Sequence, residues 1–157
     1  MEAWVEYDGP GLIYKEVSET SKTTGCQFNG SFEYWAFRGL LAEQLVAPLV
    51  TSEALPDFTS IKPPTDVIMA QRWGNNDGRK IMLLNVFAEC EAKAETAIVI
   101  AMLKSTPGGA EEKQFSARLL KGGACREISN NVASHESVAA LRARLALAVY
   151  RFTHPAK

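Results

Sequence analysis

The sequence predicts an α+β domain, an antiparallel β-sheet built from hairpins with two main helices laid on it, in the order ββ-α-ββββ-α. Three observations point there. The block Gly74-Asn75-Asn76-Asp77-Gly78 is the densest turn signal in the chain, and strand-length apolar runs flank it, Val67 to Trp73 before and Ile81 to Cys90 after. Near the C-terminus Val138, Leu141, Leu145, Ala148, Val149 and Phe152 recur at helical spacing. The whole chain, 157 residues with 46% apolar and 22% charged, has the size and composition of one domain with its own core.

In chain order, Ala3 to Tyr7 and Leu12 to Val17 flank Asp8-Gly9-Pro10-Gly11 and read as a first hairpin. Residues 18–25 are small and polar, as an exposed loop would be. The first helix should start near Ser31, whose hydroxyl suits an N-cap, and Phe32, Trp35, Leu41 and Leu45 supply its apolar side. Gly39 costs that helix about 1 kcal/mol relative to alanine, and Pro48 should end it. Val50 to Thr65 reads as a long loop, with Pro63-Pro64 extending the chain into the strand at Val67.

After the central hairpin, residues 86–104 are ambiguous between strand-turn-strand and helix. Glu89 and Lys93 stand at i,i+4, but Ile98-Val99-Ile100 is β-branched throughout, so a strand is assigned to Thr96 to Lys104. Pro107-Gly108-Gly109 closes it. Lys113 to Leu120 alternates, with Phe115, Ala117 and Leu119 on the inner side, and Cys125 to Ile128 makes a last short strand. Ser134 is the expected N-cap of the C-terminal helix, and Pro155 lies beyond its end. Arg142, Arg144 and Arg151 read as its solvated face.

The formal net charge of −1 offers no field to gather nucleic acid, and no apolar run is long enough for membrane insertion. The opening residues lack the basic and apolar regions of a signal peptide, which points to the cytoplasm; a mature exported form would read the same. Cys26, Cys90 and Cys125 lack the spacing of a zinc or redox motif and read as reduced thiols. The alternative, one disulfide with one thiol left over, would point to export. No metal and no cofactor is implied, since Gly122-Gly123-Ala124 lacks the lysine and hydroxyl residue of a phosphate loop.

Catalytic candidates do not assemble either. Trp35-Ala36-Phe37 resembles the tripeptide that follows the nucleophile of papain-type cysteine proteases, but Tyr34 occupies the nucleophile position. Cys26 or Cys125 with His135 would make a thiol–imidazole pair only if the fold brought them together. The reading that remains is a non-enzymatic protein-binding domain of the adaptor, secretion-chaperone, inhibitor or immunity type. Its partner would be another protein or a second copy of itself, because apolar residues on both faces of the central strands call for cover. The expected contact residues are Arg72, Trp73, Asn75, Asn76, Asp77 and Arg79 at the hairpin tip, where tryptophan and arginine are typical binding anchors. The alternatives are a ligand-binding or enzymatic domain, with a pocket between sheet and C-terminal helix, and a structural subunit of a larger assembly.

Overall fold

A computed structural model describes residues 34–52, 54–62, 76–128 and 137–154. Of the described residues 75% are helical and none lies in a strand, so the predicted antiparallel sheet is overturned. The elements are α1 (Tyr34–Val50), α2 (Asn76–Ala94), α3 (Thr96–Lys104), α4 (Ala110–Gly122) and α5 (Val138–Thr153), with a helical turn at residues 126–128. The hairpin at 3–18, the loop at 18–25, the helix start at Ser31, the strand Val67 to Trp73 and the cap at Ser134 lie outside the described residues.

The last helix is the centre of the molecule. Ser137 caps it, its hydroxyl accepting from the Ala140 N–H at 3.1 Å. Every residue from Leu141 to Tyr150 is buried, which makes α5 a helix covered on all sides. The other four helices all pack against it. At its far end the Thr153 hydroxyl donates to the carbonyls of Val149 and Tyr150, and the Tyr150 and His154 rings stack with centroids 4.5 Å apart.

α1 lays Ala42, Val46 and Val50 on α5, a stripe at i,i+4. Gly39 has a packing role here. A Cβ at that position would overlap both the side chain and the backbone of Ala143, so only glycine allows the two helices to approach this closely. Pro48 sits within the last turn of α1, which runs on to Val50. The following loop is pinned rather than free. Phe58 is buried against Phe152, ring centroids 5.2 Å apart, and Lys93 donates to the Ile61 carbonyl at 2.9 Å.

Three of the predicted strands are helices, two of them for a common reason. From Leu84 to Glu89 every residue of α2 is buried, and from Ile98 to Ile100 every residue of α3. A segment covered all round shows no period, and such a run reads equally as buried strand or buried helix. The β-branched triplet then tipped the assignment, although β-propensity gives way to packing context. In α4 the buried residues are Glu112, Ser116 and Leu119, a helical interval, while Ala117 is exposed. The alternation of Phe115, Ala117 and Leu119 was therefore accidental. The predicted strand at Cys125 to Ile128 is the helical turn.

α2 and α3 nearly form one helix. They break at Glu95, where the Thr96 hydroxyl donates to the Ala92 carbonyl at 2.8 Å. That carbonyl would otherwise serve the Thr96 N–H, and such back-bonding bends helices. α3 ends at Ser105, and Gly108 at φ +78° turns the chain into α4.

Candidate functional site

The core of the bundle holds charge. Glu89, Glu91, Glu112, Arg142 and Arg144 are all buried. The predicted solvated face of α5 is thus corrected: Arg142 and Arg144 are inside the core, and Arg151 is mostly covered.

Arg142 joins four helices at one point. Its Nε and Nη2 donate to Glu43 of α1, the shortest contact being 2.6 Å. Nη1 donates to the carbonyls of Met102 at 2.7 Å and Ser105 at 3.1 Å and reaches Glu112 of α4 at 3.4 Å, while Nη2 also donates to the Leu103 carbonyl at 2.7 Å. The guanidinium therefore caps the C-terminal end of α3, where unsatisfied carbonyls and the helix dipole favour a cation. Burial alone would lower its pKa, but hydrogen bonding and charge from Glu43, supported by Glu112, hold it above its ordinary value. Glu112 is fixed from its other side by the Gly108 N–H at 2.6 Å. A planar five-donor fork suits such a junction, and a lysine would not reproduce it.

Two further links join α2 to α5. Arg144 donates to Asn85 at 3.3 Å, and Arg151 to Glu89 at 3.1 Å. Glu91 lies differently. Its Oε1 accepts from the Cys125 N–H at 3.0 Å, while its buried Oε2 has no hydrogen-bond partner among the described residues. Burial pushes the carboxyl up to about 7; the Cys125 N–H opposes this, and the Glu95 charge adds to it.

The neighbouring residue is just as informative. Cys90 is disulfide-bonded to Cys125, with Cα atoms 6.0 Å apart, so the reading of three reduced thiols is overturned. Two consecutive residues of α2 thus hold Cys125, one covalently and one by a hydrogen bond to its backbone. Gly123 completes the contact, because a Cβ there would overlap the Glu91 carboxyl. The bond also removes Cys125 as a thiol partner for His135, which lies outside the described residues along with Cys26.

Of the residues expected to bind a partner, Arg72, Trp73 and Asn75 lie outside the described residues. Asn76, Asp77 and Arg79 fall in the first turns of α2, so they do not form a hairpin tip. The pocket placed between sheet and helix loses its sheet. So does the argument that bare strand faces require a second copy, since helices cover Leu84 to Glu89.

Sequence reasoning passed over Glu43 and Glu112, weighed Glu89 and Glu91 only in the choice between strand and helix, and put Arg142 on a solvated face. A signal was present for two stretches, Leu141-Arg142-Ala143-Arg144-Leu145 and Phe87-Ala88-Glu89-Cys90-Glu91-Ala92, where charges are embedded among small and apolar residues. No helix among the described residues is long and apolar enough to cross a membrane. No protein-family model matches the chain, and neither the curated proteins nor the solved structures contain a match.

Proposed function

We propose that this chain is a non-enzymatic binding protein that works in an oxidising compartment, on a disulfide-clamped helical scaffold. The observation that carries the reading is the Cys90–Cys125 bond, which ties α2 to the turn after α4. Disulfides persist in exported proteins and are rare in the reducing cytosol, so the cytoplasmic expectation gives way to export. The buried charges support the binding half of the reading. Arg142, Glu43 and Glu112 hold one another and the end of α3, which is framework work and leaves recognition to the surface. The residues assigned to recognition are Arg72, Trp73, Asn75, Asn76, Asp77 and Arg79, and their partner is another protein. A tryptophan beside two arginines and three short polar residues combines a large amphipathic anchor with adaptable hydrogen-bonding groups.

Two measurements test this. Mass spectrometry of the protein taken from its native source, alkylated without reduction, should show Cys90 and Cys125 unmodified; free thiols at both would defeat the compartment assignment. Cross-linking in the same extract should identify a protein partner, and Trp73→Ala with Asn76→Ala should weaken that complex by at least ~2 kcal/mol without altering the melting temperature. Unchanged affinity in the double variant would remove the surface.

A further inference from the structure

We propose that Cys90, Glu91 and the turn at residues 123–125 form a redox latch: reduction of the Cys90–Cys125 bond frees the turn from α2 and exposes Glu91 to water, where it releases its proton. The geometry shows why the two events belong together. Cys125 is gripped from adjacent positions of one helix, by the Cys90 sulfur and by the Glu91 Oε1 that accepts its N–H. Gly123 lies so tightly on the carboxyl that no side chain fits between them. The same turn that is bonded to Cys90 is therefore the cover over Glu91. With Oε2 buried and without a hydrogen-bond partner among the described residues, the carboxylate has one neutral N–H to stabilise it, which favours the protonated acid as long as the cover holds.

Among the described residues no cation compensates this carboxyl. Glu95, one turn along α2, adds negative charge and opposes ionisation. Lys121 at the end of α4 and Arg126 and Glu127 beyond the turn are exposed to water, and Arg151 from α5 is paired with Glu89. Glu91 is thus poised to change charge when its cover moves.

The step balances with a dithiol as reductant. Two electrons pass to the Cys90–Cys125 sulfurs, which become two thiols carrying the two protons of the dithiol; the dithiol closes to a cyclic disulfide. Between pH 4.5 and about 7 the Glu91 proton leaves to solvent in addition. Exchange of protein disulfide with a dithiol is otherwise proton-neutral in this range, because the thiols remain protonated. Opening of the latch therefore makes reduction easier as pH rises.

The test equilibrates the protein with reduced and oxidised dithiothreitol at pH 5 and pH 7, approached from both sides, and counts alkylated Cys90 and Cys125 by mass spectrometry. The exchange constant should favour the reduced protein more at pH 7 than at pH 5 by about 40-fold for full exposure of Glu91, and by less than about threefold in Glu91→Gln. Hydrogen exchange at the Cys125 amide should accelerate on reduction of the unmodified protein, a readout that does not depend on the variant folding. A wild-type constant that stays level with pH, a pH dependence that persists in Glu91→Gln, or a Cys125 amide equally protected after reduction would each overturn the latch.

Discussion

Replacing Arg142 with alanine should be among the most damaging single changes in this protein. Arg142 is 5% exposed overall, and its guanidinium serves two carboxylates and three main-chain carbonyls. Its loss would strand Glu112, whose side chain is 3% exposed, and would leave the end of α3 with only the Ser105 N–H and hydroxyl as donors. Breaking a buried pair by removing one partner costs about 3–5 kcal/mol, chiefly because the remaining charge stays desolvated. Glu43 is less critical, because at 19% exposure water takes up part of its charge. Against a total stability on the order of 5–15 kcal/mol, the Arg142 change removes a large share. Urea unfolding with the disulfide intact measures it. Arg142→Ala is expected to lose about 3–5 kcal/mol, Arg142→Lys less, and Glu43→Gln about 1–2 kcal/mol. A double-mutant cycle of Arg142→Ala with Glu112→Gln should give a coupling above about 0.5 kcal/mol. A loss below about 1 kcal/mol in Arg142→Ala, or strict additivity with Glu112→Gln, would refute the claim that this junction holds the helices together.

Leu145→Ala should cost about 2–5 kcal/mol in the same assay, because Leu145 is fully buried at the centre of α5 and leaves a cavity; under about 1 kcal/mol would place it outside the core. Gly39→Ala sets two effects against each other, a helix-propensity gain of roughly 1 kcal/mol and the overlap with Ala143, and the overlap should win, lowering the melting temperature; a stabilised variant would show that α1 and α5 have room to separate. Glu91 governs the pH dependence. Its folded pKa of about 7 lies above the ordinary 4.5, so the folded protein holds a proton that the unfolded chain has released. Native stability should therefore be greatest below about pH 4.5 with respect to this group, fall as pH rises towards 7, and level off above it. The full shift corresponds to roughly 3 kcal/mol, less where water reaches the carboxyl, and urea midpoints across that window should flatten in Glu91→Gln. A wild-type profile as flat as the variant's would show that Glu91 is not held protonated.

The C-terminal helix was legible because its pattern is locally complete. A serine near its start, apolar residues at helical spacing and an ending near His154 all fall within one stretch, and Ser137 is the cap in the structure. Helix α1 was legible as a helix, but its buried stripe is Ala42, Val46 and Val50, whereas Leu41 and Leu45 are half-buried. α2 and α3 were not legible, because of burial, and α4 was not, because Phe115, Ala117 and Leu119 happen to alternate in type. Amphipathic patterning records a boundary between core and water, and residues 84–89 and 98–100 meet no such boundary. With the period lost, the choice between strand and helix fell to propensity, and Ile98-Val99-Ile100 pointed the wrong way. The i,i+4 pair of Glu89 and Lys93 carried the correct signal. It was outweighed because the glycines and asparagines at 74–78 implied a hairpin, while Asn76, Asp77 and Gly78 are helical.

The charged core was hidden for a different reason: its partners are far apart in sequence. Arg142 and Glu43 are separated by 99 positions, Arg151 and Glu89 by 62, and the carbonyls that Arg142 caps carry no side-chain signature at all. An arginine between alanines and leucines on a helix has the same local sequence whether it meets water or five buried acceptor groups. The difference lies in the helix around it. Because α5 is apolar on every other position from Leu141 to Tyr150, no face remains for solvent, and any arginine on it must either be buried or leave that stretch of helix uncovered. A buried arginine keeps its charge and must find oxygen, so the end of α3, Glu43 and Glu112 are drawn to it. Arg142, which looked like part of a solvated strip, is in this way the residue that specifies how α1, α3 and α4 are placed around α5, while Arg144 and Arg151 hold α2 there.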